Sequence, residues 1–345
     1  MLFGLILCLA LAQGQAQSAA EPAASAPALG AAPTPDVQAQ TNKSLPIAVN
    51  VVNSEDLLDY SKTLVVPAVY VTLLTDGRIS AAKQSGMFQQ GNNSVRASAR
   101  YTVQGLDKAY AQQLAQAAQD DLVGQLRHAG FTVLTYADIK DRELIKAAQR
   151  ETDVGPMGLP VTSDGGNNFV TAAPLDEQFF KSSLVGGQFS EFIRGGKSKI
   201  TDATLLLARY NFASPQSWAE TNSGYKSISA EANVAPGMNL NNASVQWMGA
   251  PKVRIMRGIP GVATKQLTIN VTESAGALVR TSDNTPTTAN LVSGLLGRLT
   301  GLGSIQSAAH DYVMTIDRAA YTAGVMSAVR SFNAEVAKAA ASATP

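Results

Sequence analysis

"YAQQLAQAAQDDLVGQLRHAGFTVLTYADI", Tyr110 to Ile139, is the stretch whose reading settles the fold class. Tyr110, Leu114, Ala118, Leu122 and Leu126 recur at helical spacing, with Ala117 and Val123 beside them, so one side of a helix carries an apolar stripe. Arg127 and His128 stand in the last turn, where positive charge complements the helix dipole. Gly130 follows in the position of a C-cap glycine. "FTVLTY" has strand composition, and Asp138 is placed to cap a second helix running from Ile139 to about Arg150. A helix that feeds a strand and then another helix is an α/β unit. The expected fold class is therefore α/β: a mixed β-sheet flanked by helices, with a long C-terminal helix.

Upstream, "LVVPAVYVTLL" (Leu64 to Leu74) is rich in β-branched residues and reads as a buried strand. Pro67 lacks a ladder donor, which places it at the N-terminal end of that strand or on a sheet edge. In "SVRASARYTV" (Ser94 to Val103), Val95, Ala97, Ala99, Tyr101 and Val103 share one face of a half-buried strand. Downstream, Glu151 to about Ala173 reads as a long loop, and "PLDEQFFKSSLVGGQFSEFIRGG" as helix with a break at Gly186 and Gly187. "DATLLLARYNFAS" (Asp202 to Ser214) is a strong buried strand. The polar stretch from Pro215 to Asn242 reads as a loop with a weak strand in "GYKSISAEANV". "SVQWM" and "KVRIMR" come next, and "TKQLTINVTES" then "GALVRT" are expected to form a hairpin turning at Ala275-Gly276. Tyr312, Ile316, Ala319, Ala323, Met326, Val329, Phe332 and Val336 step by three or four, which predicts a closing helix with one buried face. No internal repeat is visible.

The chain has 345 residues, a net charge of +1 and only 15% charged side chains. No basic field is present to attract nucleic acid. "MLFGLILCLALA" is an apolar run of about a dozen residues, long enough for a signal h-region and too short to span a bilayer. Gly14 and Ala16 fit a cut after Ala16. No Lys or Arg precedes the run, so either the true start lies upstream or the signal is atypical. A buried N-terminal helix is the competing reading. Leu7 before Cys8 is not the small residue that lipidation needs, and removal of the segment would leave a chain without cysteine. Residues 17–45, rich in Ala and Pro, read as a disordered tether, and residues 46–345 as a single α/β domain. No later run is long and apolar enough for a transmembrane helix.

Residues that would name a reaction are scarce. His128 and His310 are far apart and lack partners at metal-ligand spacing, so His128 reads as a helix-end residue and His310 as the lead into the last helix. Asp120 and Asp121 point to different helix faces and read as solvated. There is no GxSxG, SxxK or HExxH, and the glycines of "GLLGRLTGLG" match neither a dinucleotide fingerprint nor a P-loop. No catalytic, cofactor-binding or metal-binding residue is therefore assigned. The segment Leu291 to Ile305 has three readings: a buried connection, a partner contact, or an amphipathic stretch on lipid. Its candidate contact residues are Leu295, Leu296, Leu299 and Leu302. Trp218 and Trp247 are candidates for ligand stacking, against roles as core plugs or loop anchors.

The order of elements resembles the periplasmic domain of the CsgG-like envelope proteins, a group that includes the curli secretion channel, penicillin-binding-protein activator lipoproteins and the related TolB amino-terminal domain. "LVGQLRHAGFTVLTYADI", "TDATLLLARYNFAS", "LTINVTESAGALVRT" and the closing helix from Asp311 to Ala339 carry the likeness. The departures are a missing lipobox, no tryptophan after the hairpin, and a polar stretch near 215–242 that looks like an insertion. The resemblance implies a non-enzymatic domain of the bacterial envelope that works through protein contacts, sometimes as a ring. The expected protein is thus exported, periplasmic or outer-membrane-associated, partnered by envelope proteins or by itself, with peripheral membrane contact open. A carbohydrate- or peptidoglycan-binding module is the alternative. An exported hydrolase would need a Ser or Asp cluster assembled by folding.

Overall fold

A strand of 22 residues organises the molecule. In chain order the elements are β1 (Val49–Val52), β2 (Thr63–Gln84), β3 (Ser94–Gln104), α1 (Lys108–His128), β4 (Thr132–Thr135), α2 (Tyr136–Ile139), α3 (Glu143–Ala147) and β5 (Asn168–Ala172), then a 3-10 turn at Asp176–Gln178. They continue as β6 (Thr204–Ala213), β7 (Gln216–Ser223), β8 (Ile228–Ala235), β9 (Asn239–Met248), β10 (Gly261–Thr264), β11 (Leu267–Thr268), β12 (Leu278–Asp283), β13 (Ile305–Ile316) and α4 (Arg318–Ala343). The computed structural model describes residues 47–52, 62–84, 94–151, 167–180, 203–223, 228–248, 261–264, 267–268, 278–283 and 305–343. All lie within the unit Thr41–Pro345.

One mixed sheet runs β1-β10-β9-β6-β2-β3-β13-β12, with β4 and β5 also on β2 and β11 on β9. The first half of β2 is central: β6 lies parallel along one edge, and β4 then β5 along the other. Pro67 is therefore interior to the sheet and not at its edge. The register shift between Val65 and Ala68 against β6, and the end of the β4 ladder at Val66, leave a position where a missing N–H costs little. The Pro67 carbonyl accepts from Gln178 Nε2 at 2.9 Å. The class is mixed α/β as the sequence predicts, with few helices and a sheet that is largely antiparallel.

α1 forms where its stripe predicts. Asp107 caps it, accepting from Tyr110 N at 2.7 Å, and Gly130, at φ +91, ends it in the left-handed region that glycine adopts without strain. Tyr110, Leu114, Ala118, Leu122 and Leu126 are all buried. α1 and α4 pack together over the sheet, where Val69, Val71, Leu73, Leu206, Ala208, Tyr210 and Phe212 meet Val325, Val329, Phe332 and Val336. Burial of one such aliphatic or aromatic side chain stabilises the fold by about 1.5–3 kcal/mol. The opposite face of the sheet carries a smaller core in which Tyr70, Leu205 and Leu207 meet Tyr136, Ile139, Ile145, Phe179 and Phe180.

Several expectations are corrected. Asp138 does not start the second helix; it completes a capping box whose N-cap is Thr135, accepting from Thr135 N at 2.7 Å. That helix is two short pieces, α2 and α3, and not one helix to Arg150. The closing helix begins at Arg318, after a strand: Asp317 Oδ1 accepts from Ala320 N at 2.9 Å and fixes its start. Tyr312 and Ile316 belong to β13, and Ala319 and Ala323 face solvent. Tyr312, Met314 and Ile316 also alternate, and strand pairing with β3 decides between the two periods. The polar stretch holds the expected strand in "GYKSISAEANV", as β8, and also a second strand, β7, where a loop was expected; the two form an antiparallel ribbon. β11 pairs with β9 and β12 with β13, while residues 269–277, which hold most of the expected hairpin and its turn, lie outside the described residues. Pro174 to Phe180 holds a 3-10 turn, and residues 181–200 and "KVRIMR" lie outside the described residues.

Candidate functional site

Three buried polar clusters tie the layers together. Tyr70 Oη donates to the Gln178 carbonyl at 3.0 Å and accepts from Phe180 N at 3.2 Å, while Gln178 Nε2 also reaches Gln119 Oε1 at 3.2 Å. Tyr210 Oη donates to Asn333 Oδ1, and Asn333 Nδ2 donates to Asp121 Oδ2 at 2.8 Å. Ser214 Oγ and Tyr321 Oη share a hydrogen bond of 2.8 Å. Burial pushes the hydroxyls of Tyr70, Tyr210 and Tyr321 well above the ordinary tyrosine range. Burial likewise holds the Arg209 guanidinium below its usual value. Arg150 stacks over the Phe180 ring at 4.3 Å and donates to the carbonyls of Ile145, Ala148 and Glu177, which closes the smaller core. Apart from the partly exposed Asp121 carboxylate, which also faces Arg330 at 4.0 Å, the three clusters are neutral hydroxyls and amides between the layers, and their chemistry is hydrogen bonding within the fold. Ser214 is fully buried against a tyrosine, which does not make it an activated nucleophile.

The residues singled out in the sequence scatter. Trp247 is 2% exposed in the main core and is a core plug, so it is not available for ligand stacking. Trp218 is 42% exposed on β7. Leu295, Leu296, Leu299 and Leu302 lie outside the described residues. His128 sits at the end of α1 with Nδ1 2.7 Å from the Gly124 carbonyl. His310 is in β13 and not at the head of a helix; its ring stacks on Tyr312 with centroids 5.8 Å apart. Asp120 is solvated, whereas Asp121 turns inward to α4. Among the described residues no group of His, Cys, Asp and Glu is arranged to hold a metal ion.

The most distinctive surface is a β arm. Beyond Asp76, β2 passes β5 and pairs with β3, which pairs with β13, which pairs with β12. One face of the arm carries Gly77, Ile79, Ala81, Ala97, Ala99 and Tyr101, and the β7–β8 ribbon lies against it through Ala232 and Val234. The small side chains let two β layers come close. Tyr101 is the fastener: its ring crosses Gly77, where an added Cβ would lie 2.2 Å from the ring, and its hydroxyl bonds Ser217 of β7.

No family model, curated protein or solved structure matches this chain.

The arm's remaining features are therefore read from its own chemistry. Its other face is solvated and carries Arg78, Arg96 and Arg100, all exposed. On the ribbon, Trp218, Glu220, Glu231 and Asn233 project away from the arm, since their strand neighbours Ala232 and Val234 are buried beneath. Among the described residues, no strand pairs with the second edge of β2 from Gly77 to Gln84, or with the outer edge of β12. On the β2 edge, Arg78 N donates to Asn167 Oδ1 at 3.1 Å. The sequence shows the alternation of β3 but gives no sign of an exposed arm. That property depends on strand order, which residues distant in the chain decide.

Proposed function

We propose that this chain is an exported bacterial envelope protein that acts as a non-enzymatic assembly or scaffold component of a secretion, surface-attachment or cell-wall machine. The observation that carries the reading is the arm with two unpaired edges among the described residues. Such edges present a row of backbone donors and acceptors and take up further strands from partner chains or from copies of the same chain. The N-terminal apolar run and the Ala- and Pro-rich stretch after it support export and a tethered position. The CsgG-like pattern in the sequence points the same way. The polar groups sealed between the layers also favour a scaffold, because they are spent on cohesion of the fold. The protein is expected at the periplasmic side of the envelope or on the outer membrane.

The second reading is a module for carbohydrate or peptidoglycan, and it now rests on Trp218 alone, whose exposed ring stands opposite Asn233. An exposed aromatic ring beside an amide is suited to stacking on a sugar and bonding its hydroxyls.

The test is to express a tagged full-length chain in a bacterial host, fractionate the cells and size the native envelope extract. Migration far above the 36.0 kDa of one chain, in the membrane fraction, is the outcome the scaffold reading expects. A soluble periplasmic monomer would sink it. Retention on peptidoglycan that is lost in Trp218→Ala would then favour the second reading.

A further inference from the structure

The two outer faces of the arm carry like charges in directly opposed pairs. On β2 and β3, Arg78 is the register partner of Arg100. On the ribbon, Glu220 of β7 is the register partner of Glu231 of β8. All four residues are exposed, and among the described residues none of them forms an ion pair. Side chains directly opposite in an antiparallel ladder have Cβ atoms about 5 Å apart, and like charges so placed destabilise the pair. The acidic pair has no opposite charge in its own ladder, and on the basic face Asp311 of β13, the other register partner of Arg100, offsets only one of the two arginines.

The two faces are complementary in spacing as well as in sign. Both pairs sit across one antiparallel ladder step, so two carboxylates about 5 Å apart can meet two guanidiniums at the same separation. The next row on the basic face is Ser80 opposite Ser98, and the one beyond is Ala82 opposite Arg96. On the acidic face the next row is Trp218 opposite Asn233. Rows on one face are about 7 Å apart along a strand. With the Glu220–Glu231 pair set on Arg78–Arg100, the indole of Trp218 falls on the small serine row, with the Arg96 guanidinium in reach of its ring. Exposed tryptophan meeting arginine over small residues is the usual composition of an interface anchor. Two carboxylates border the basic strip. Asp76 is engaged with the hydroxyls of Thr75 and Thr102, and Asp311 is the register partner of Arg100.

We infer that the chain associates with a second copy of itself head to tail, the Trp218–Glu220–Glu231 face of one β7–β8 ribbon seating on the Arg78–Arg96–Arg100 face of the next copy's β2–β3. The two patches lie on opposite outer faces of one two-layer arm, so the same pair of molecules cannot exchange both contacts. The interface is heterologous and builds a closed ring or an open filament. It uses side-chain faces and leaves the strand edges untouched, and it stands whether or not the chain is exported.

The experiment is a charge swap on the full-length chain, read by sedimentation velocity and mass photometry. Glu220→Arg with Glu231→Arg makes both faces basic, and Arg78→Glu with Arg100→Glu makes the basic face acidic. Each double variant alone is expected to lose the higher species that the unmodified chain forms. An equimolar mixture of the two is expected to regain them, because a basic face again meets an acidic one. Raising salt from about 50 mM to 1 M shortens the screening length from more than 10 Å to about 3 Å and is expected to dissociate the unmodified assembly. Trp218→Ala is expected to weaken it at least tenfold. Far-UV circular dichroism checks that the variants fold; the salt titration and Trp218→Ala decide the matter if a swap does not. The inference is overturned if the unmodified chain stays monomeric up to about 100 μM. It is overturned equally if assembly survives both swaps, or if the mixture stays monomeric. Capture of the monomer by anionic vesicles through Arg78 and Arg100 would overturn it in favour of a membrane surface.

Discussion

Tyr101 and Gly77 form a cross-strand pair in which the ring occupies the space a side chain would take. Gly77→Ala places a methyl group 2.2 Å from the ring carbon and the hydroxyl oxygen, so the ring must leave and the bond to Ser217 must break. The expected loss is about 1–3 kcal/mol, the range for overpacking, and equilibrium urea unfolding measures it. Trp218 follows Ser217 in the chain, so its emission is expected to shift in the folded variant. Asn333 is a second residue whose value lies in what it joins. It is fully buried and links Tyr210 on β6 to Asp121 on α1. Asn333→Ala leaves two groups short of a partner: the buried Tyr210 hydroxyl, worth about 1–3 kcal/mol, and the partly exposed Asp121 carboxylate, which keeps Arg330 at 4.0 Å and costs less. In Tyr210→Phe one of those groups is already gone, so the same substitution is expected to cost less there. A double-mutant cycle with no coupling would contradict the network.

At the scale of elements, α4 and β13 show how a pattern can be read with the wrong period. Tyr312 and Ile316 fit a helical stripe with Met326, Val329, Phe332 and Val336, yet they alternate in a strand paired along its length with β3. A run of short apolar and polar residues satisfies both periods, and only a partner strand breaks the tie. The last four residues of that stripe were legible because about three turns of helix repeat one signal, and all are buried. Phe332 is fully buried and meets Tyr210 edge to face at 5.9 Å. Phe332→Ala is expected to cost about 3–5 kcal/mol. Thermal unfolding by circular dichroism reads it, and a loss under 1 kcal/mol would mean that α4 is not packed on β6. In the β7–β8 ribbon, β8 showed only as a weak strand and β7 not at all, for a different reason. Its strands of small and polar residues bury only Ala232 and Val234 deeply among those whose side chains are described, so the alternation that marks a half-buried strand is faint.

For the whole molecule, the titrating groups set a window of stability. Tyr70, Tyr210 and Tyr321 have folded values raised by burial, so the native state favours their neutral form. Their contribution is complete below the unfolded value of about 10 and is lost as pH rises above it. Asp107 is held low chiefly by the Tyr110 N–H, and Asp138 chiefly by the Thr135 N–H. Their contribution is present above about pH 4 and is lost as pH falls through their folded values. Both carboxylates are exposed, so the acid limb is expected to be shallow and the alkaline limb steep. Absorbance at 295 nm against pH checks the latter: the buried tyrosines are expected to ionise only with unfolding, in one cooperative step. Smooth ionisation near pH 10 with the fold intact would contradict their burial.

The local units were legible in the chain itself: α1 with its glycine stop, the strands β3, β4 and β6, and the buried face of α4, whereas the Asp107 cap of α1 was not among them. Each is specified by residues within one or two turns of each other, where periodicity and capping act directly. Pairing between distant segments set the rest: Pro67 is interior, Trp247 is buried and Trp218 is not, and Arg78 stands opposite Arg100 while Glu220 stands opposite Glu231. Those outcomes depend on strand order and register between distant segments. There the free energy resides in pairings that no local stretch of sequence contains.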